Sequence, residues 1–166
     1  MHKTISHFIH IFEEHELEYL LKDCNESLDK AKPNDFWVEE VKQFSTEVKT
    51  FSIPPGSKSF NIINDKCISL FKTEPHSISY NYWEEGGYIP WHNDGEHQAA
   101  FTAYLTPDWR IEYGGLFQYS IIGPVKTIFP FQNTGVYQYG GVEHSTTIQS
   151  KDSPIRKSIQ CFFKNI

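Results

Sequence analysis

In Trp91-His92-Asn93-Asp94 an imidazole and a carboxylate stand two positions apart. On a β-strand that spacing sends both side chains to one face, where they can take neighbouring corners of a single metal ion. A second imidazole, His144, follows much later in Gly141-Val142-Glu143-His144-Ser145, which also reads as a strand. Two histidines and one carboxylate leave the other coordination positions of a metal open. That arrangement suits a non-haem Fe(II) that must also receive a co-substrate and dioxygen. Glu96 and His97 lie close by, but Asp94 has the better spacing, so both are assigned to a solvated loop.

A second constellation lies downstream of His144. The run Pro154-Ile155-Arg156-Lys157-Ser158-Ile159-Gln160-Cys161-Phe162-Phe163 has the composition of a last strand and puts Arg156 and Ser158 on the same face. A guanidinium and a hydroxyl pointing into a protein interior need an anion, because an unpaired buried charge is costly. The distal carboxylate of 2-oxoglutarate satisfies that need.

The elements that must position these groups fall into two halves. Residues 13–31 carry Leu17, Leu20, Leu21, Cys24 and Leu28 at helical spacing, with acidic residues in the first turn and Pro33 beyond the end. After Pro54-Pro55-Gly56, Ser57 can cap a second helix presenting Phe60, Ile63, Cys67, Leu70 and Phe71 on one face before Pro75. Between the helices an extended pair is expected around residues 36–44 and 48–53. From Ser77 onward, short runs of Tyr, Phe, Ile, Val and Thr are punctuated by Gly86-Gly87, Pro107-Asp108, Gly114-Gly115, Gly123-Pro124, Gly140-Gly141 and Ser153-Pro154. Such punctuation predicts a sandwich or barrel of antiparallel strands.

In this order and spacing, residues 79–164 resemble the prolyl 4-hydroxylase-like branch of the Fe(II)/2-oxoglutarate-dependent dioxygenases. The resemblance rests on Tyr82 ahead of Gly86-Gly87-Tyr88, on His92-x-Asp94, on Ala103-Tyr104-Leu105 leading to Asp108-Trp109, on Gly114-Gly115, on His144 and on Arg156-x-Ser158. It implies a mainly β protein with N-terminal helices, built as a distorted double-stranded β-helix of the jelly-roll, cupin-like kind. Residues 1–166 then form one domain, with helical support over 1–76 and a catalytic barrel core over 77–166. It also implies Fe(II) on His92, Asp94 and His144, with 2-oxoglutarate and O2 as co-substrates. Arg156, Ser158 and Tyr104 then hold the co-substrate carboxylate, and Tyr82 lies near the metal pocket. The expected reaction is hydroxylation of an unactivated C–H bond, since related halogenases replace the carboxylate at the position of Asp94 with a small residue. The segment over residues 33–50 matches a region that closes over substrate in prolyl hydroxylases.

Bulk properties narrow the partners. The chain has 166 residues, room for one core, and a net charge of −6 that offers no basic field to a phosphate backbone. Phe162 stands where the nucleic-acid demethylase branch often has a second arginine, so nucleic acid is not the expected partner. Three widely spaced cysteines, Cys24, Cys67 and Cys161, suggest neither a disulfide framework nor a zinc knuckle, and the N-terminus resembles neither a signal peptide nor a membrane span. A cytoplasmic protein is expected. Its substrate is a prolyl or other residue in a protein or peptide, or alternatively a free amino acid or small metabolite. A non-catalytic, metal-binding cupin-like protein is the reading from another class.

Overall fold

The computed structural model describes residues 4–34, 46–95, 97–139 and 141–164. In chain order the described elements are β1 (Ile5–Ile9), α1 (Glu14–Ser27), β2 (Lys32–Pro33), β3 (Thr46–Ser52), α2 (Lys58–Phe71), β4 (Ser77–Tyr88), β5 (Ala99–Tyr104), β6 (Phe117–Ser120), β7 (Lys126–Ile128), β8 (Thr134–Tyr139), β9 (Glu143–Thr146) and β10 (Arg156–Phe163). Short 3-10 turns occupy Leu28–Lys30 and Ile111–Tyr113. Both expected helices are present. The Glu13 backbone N–H donates to Glu16 Oε2 at 3.0 Å, closing a capping box at the start of α1. Ser57 Oγ caps α2 by accepting from the Phe60 N–H at 3.2 Å. Leu70, expected on the buried face of α2, is 38% exposed; Ile63 and Cys67 carry that face. The expected strand over 48–53 is β3, while its partner over 36–44, and with it most of the expected closing segment, lies outside the described residues.

Seven strands form one antiparallel sheet in the order β1-β8-β5-β10-β4-β3-β2, and three form a smaller one in the order β7-β6-β9. This is the jelly-roll arrangement. The N-terminal residues give β1, β2 and β3 to the larger sheet as well as both helices. Among the described residues no helix is long and apolar enough to cross a membrane.

The larger sheet has two unlike faces because side chains alternate along each strand. Ile78, Tyr80 and Tyr82 of β4, Phe101 and Ala103 of β5, and Ile159, Cys161 and Phe163 of β10 join Leu20, Cys24, Ile63 and Cys67 of the helices in one core. The intervening residues, Ser79, Asn81, Trp83, Thr102, Tyr104, Arg156, Ser158 and Gln160, line a cavity on the opposite face. The smaller sheet closes that side, where Phe117 packs on Tyr104 and Val136.

This alternation corrects the expectation for Tyr82. Its ring is fully buried on the helix face and its hydroxyl donates to the Cys24 carbonyl of α1 at 2.7 Å. One residue to either side, Asn81 and Trp83 face the cavity instead. Tyr82→Phe is therefore expected to cost about 1 kcal/mol of stability in chemical denaturation, the net worth of one neutral hydrogen bond. Affinity for 2-oxoglutarate in calorimetry should stay unchanged; a large loss there would return Tyr82 to the pocket.

Candidate metal centre and anion pocket

His144 sits on β9, and His92 meets it through an antiparallel bridge: His92 N–H to the His144 carbonyl at 3.0 Å, and His144 N–H to the His92 carbonyl at 2.9 Å. The chain turns immediately afterwards. Asn93 Oδ1 accepts from the Gly95 N–H at 3.0 Å, while its amide donates to Glu143 at 2.8 Å. Asp94 thus lies outside any strand, and the expectation of one continuous strand through His92 and Asp94 does not hold. A bridge followed by a side-chain-stabilised turn brings the carboxylate to the same place.

Ligand atoms of His92, Asp94 and His144 all lie within 4.8 Å of one another. His92 Nε2 is 3.6 Å from Asp94 Oδ1, and His144 Nε2 is 3.8 Å from Asp94 Oδ2. Each imidazole is oriented from behind. His92 Nδ1 donates to the Pro90 carbonyl and His144 Nδ1 to the Val142 carbonyl, both at 2.8 Å, so in each ring Nε2 keeps its lone pair for a metal. Phe117 stacks on His144 with ring centroids 5.3 Å apart. Burial lowers the His144 pKa, outweighing the nearby Asp94 charge, so the ring is neutral at physiological pH. Burial by itself would raise Asp94, but hydrogen bonding from His92, the electrostatic influence of His144 and His92 and the Gln138 amide together hold its carboxyl below the usual range. A neutral imidazole at His144 and an ionised carboxylate at Asp94 suit a divalent cation. The donor set fits a non-haem Fe(II), which His92, Asp94 and His144 would hold.

Gln138 of β8 escaped the sequence reading. Its Nε2 donates to Asp94 Oδ2 at 2.5 Å and lies 3.3 Å from His144 Nε2, so it fixes the carboxylate that the turn delivers. The cavity encloses about 480 Å³; His97, expected in a solvated loop, also lines it, as does His76. His97 stacks on Phe162 with centroids 4.1 Å apart. Glu96 lies outside the described residues.

Arg156 and Ser158 are each only 2% exposed. The guanidinium lies 4.6 Å from the Trp83 ring centroid and 5.9 Å from that of Tyr104. Its Nη1 donates to the Gly115 carbonyl, while Nε has no hydrogen-bond partner among the described residues. No carboxylate pairs with it among the described residues. Burial pushes its pKa down to about 10, so it stays charged at neutral pH. Gly115 makes room for it: with φ +63°, a Cβ there would stand 3.1 Å from Arg156 Nη1. Ser158 faces Tyr104 across the β10–β5 ladder. Burial pushes the Tyr104 phenol up to about 12, leaving a protonated hydroxyl beside the guanidinium. Six of the seven expected site residues thus share one cavity, Asp94 reaching it from its turn; Tyr82 does not.

No family model matches the sequence, and no curated protein sequence matches it. Solved structures do match the fold. A prolyl-4-hydroxylase from Pseudomonas putida superposes with a TM-score of 0.77 at 14% identity, over 99% of this chain and 94% of that one. A prolyl hydroxylase from Trichoplax adhaerens, solved with a hypoxia-inducible-factor peptide fragment, gives 0.81 at 12% identity over 96% and 83%. The non-haem α-ketoglutarate-dependent epimerase SnoN of nogalamycin biosynthesis gives 0.72 at 12% identity over 96% and 77%. At these identities the shared property is the fold.

Two classes of variant separate the two halves of the site. His92→Ala, Asp94→Ala and His144→Ala should each weaken Mn(II) binding strongly while the far-ultraviolet circular dichroism stays that of the folded sheet. Arg156→Met should leave Mn(II) affinity nearly unchanged in calorimetry but cost roughly 2–5 kcal/mol of 2-oxoglutarate binding, the loss of a buried charge-assisted pair. Equal loss of metal affinity in Arg156→Met would show that the two subsites are not separate.

Proposed function

We propose that this chain is an Fe(II)- and 2-oxoglutarate-dependent dioxygenase that hydroxylates an unactivated C–H bond of a prolyl or other residue in a protein or peptide. The observation that carries the reading is Arg156, a buried cation without a carboxylate partner among the described residues, facing the same cavity as the His92, Asp94 and His144 cluster. A purely structural metal has no use for a buried anion anchor, which weighs against the cupin-like binding reading.

In this proposal His92, Asp94 and His144 hold Fe(II), and Arg156, Ser158 and Tyr104 hold the distal carboxylate of 2-oxoglutarate. Bound Fe(II) and 2-oxoglutarate supply the oxidising power, coupling decarboxylation of the co-substrate to oxidation of the substrate by dioxygen. The protein contributes position. The Pro90 and Val142 carbonyls set both imidazole tautomers, and the Gln138 amide holds the Asp94 carboxylate. Trp83 and Phe117 exclude water from two sides of the cavity and so strengthen the electrostatics within it. The protonated Tyr104 hydroxyl is a donor for a carboxylate oxygen.

The fold relatives support both substrate classes, one having been solved with a peptide fragment and another being an epimerase of nogalamycin biosynthesis. A peptide is favoured by the neutral, hydrogen-bonding lining of the described cavity beyond Arg156 and Asp94. A cytoplasmic setting belongs to the proposal too: Cys67 and Cys161 have sulfurs 3.9 Å apart in the core, yet both are free thiols. Aerobic incubation with Fe(II), 2-oxoglutarate and prolyl peptides should release succinate and add one oxygen to a peptide, read by mass spectrometry. Hydroxylation of free amino acids with none of peptides would favour the small-molecule reading. Absence of any succinate from metal-loaded protein, with or without substrate, would contradict the oxygenase assignment.

A further inference from the structure

We propose that Asn81 and Gln160 form an amide-donor subsite that recognises carbonyl oxygens of an uncharged primary substrate. The proposal rests on the oxygenase reading and adds residues that neither the metal centre nor the carboxylate anchor uses.

Hydrogen-bond accounting fixes which end of each amide faces the cavity. Thr50 of β3 donates its hydroxyl to Asn81 Oδ1 at 3.0 Å, and Thr102 of β5 donates to Gln160 Oε1 at 2.7 Å. Each amide oxygen is therefore engaged from a neighbouring strand. The Asn81 and Gln160 NH2 groups remain, and among the described residues neither has an acceptor. Asn81 is only 7% exposed, so its donors have little access to bulk water and look into the cavity it lines. A buried amide held by one end and bare at the other is built to receive an acceptor.

The sheet register places the pair. Ser158 lies opposite Asn81 and Gln160 opposite Ser79, so the two amides stand diagonally on adjacent strands. Arg156, opposite Trp83, is one pleat further along and is the partner for the co-substrate carboxylate.

Charge then selects the ligand. Among the described residues lining the cavity, Arg156 is the one cation from Lys or Arg, and Asp94 the one carboxylate. Both are committed, one to the co-substrate and the other to the metal. A substrate carboxylate finds no further Lys or Arg there, and an ammonium finds no second carboxylate. Burial without an opposite charge penalises either one. Two oriented amide donors flanked by Ser52, Ser79 and Thr50 suit neutral carbonyl groups, such as those of a peptide, over a zwitterionic amino acid.

The test uses the full chain loaded with Mn(II) and saturating 2-oxoglutarate in the absence of oxygen. Probes are N-acetyl-L-prolinamide, an uncharged diamide, and L-proline, its zwitterionic counterpart. Paramagnetic relaxation of probe protons by Mn(II) reports occupancy even for weak binders. The diamide should be relaxed about five-fold more strongly than L-proline, the ratio expected from one or two hydrogen bonds. Asn81→Asp and Gln160→Glu keep size but replace the donor with an acceptor, and each should bring the diamide down to the level of L-proline. Equal relaxation of the two probes in the unmodified protein, or an undiminished diamide effect in both variants, overturns the subsite. Water-proton relaxation and calorimetry before probe addition read Mn(II) and 2-oxoglutarate binding separately. Loss of that binding brings down the oxygenase reading and the subsite together, whereas intact binding without diamide preference brings down the subsite alone.

Discussion

A full positive charge sits on Arg156 with 2% of the residue exposed and no carboxylate beside it among the described residues. Removing a guanidinium from water costs several kcal/mol, and one hydrogen bond to the Gly115 carbonyl and the face of Trp83 offset only part of that. The rest of the site is arranged around this deficit. Gly115 lets the backbone approach the guanidinium so closely that a Cβ there would fall 3.1 Å from Arg156 Nη1. Tyr104 and Ser158, opposite each other across the β10–β5 ladder, bring two hydroxyls to the same cavity. In the proposed function, an anion with two charges, held at one end here and at the other by a metal on His92, Asp94 and His144, would resolve the deficit without any further residue.

What makes such a cavity compatible with a stable protein is the division of the larger sheet into an oily and a polar face. The helices α1 and α2 cover the first, where Tyr80, Phe101, Ile159 and Phe163 are fully buried. Hydrophobic burial there, at about 25 cal/mol per Å² of apolar surface, carries the stability. The second face is thereby free to hold amides, hydroxyls and a charge. Tyr80 and Tyr82 tie the two layers together by reaching across the core to Asp23 and Cys24 of α1. Their polar tips are satisfied by the helix and are unavailable to the cavity.

The parts of this design that were legible in the sequence are those set by local periodicity. Arg156 and Ser158 share a face because β10 is a regular strand, and Ser57 caps α2 because its neighbours leave a helical start. His92, Asp94 and His144 converge as their types suggest, although a bridge and a turn bring Asp94 in where a strand was expected. Tyr82 went astray because resemblance carried a tyrosine across without its strand parity. The alternation of Ile78, Tyr80 and Tyr82 against Ser79, Asn81 and Trp83 held the signal that would have moved the assignment by one residue. Gln138, Asn81 and Gln160 were silent for a different reason. Their roles arise from pairing with Asp94, Thr50 and Thr102, contacts set by cross-strand register between segments far apart in the chain. Leu70 fits the helical spacing of α2 yet faces outward, since the buried arc of that helix is narrower than the apolar one.

The central claim, that one small dianion spans the metal cluster and Arg156, is tested most directly by a crystal structure of the protein grown without oxygen in Mn(II) and 2-oxoglutarate. The expected structure has Mn(II) on His92 Nε2, Asp94 and His144 Nε2, with the distal carboxylate of 2-oxoglutarate hydrogen-bonded to the Arg156 guanidinium and the Tyr104 hydroxyl. Mn(II) bound at the cluster with 2-oxoglutarate elsewhere, or with Arg156 turned to a protein carboxylate, would contradict it.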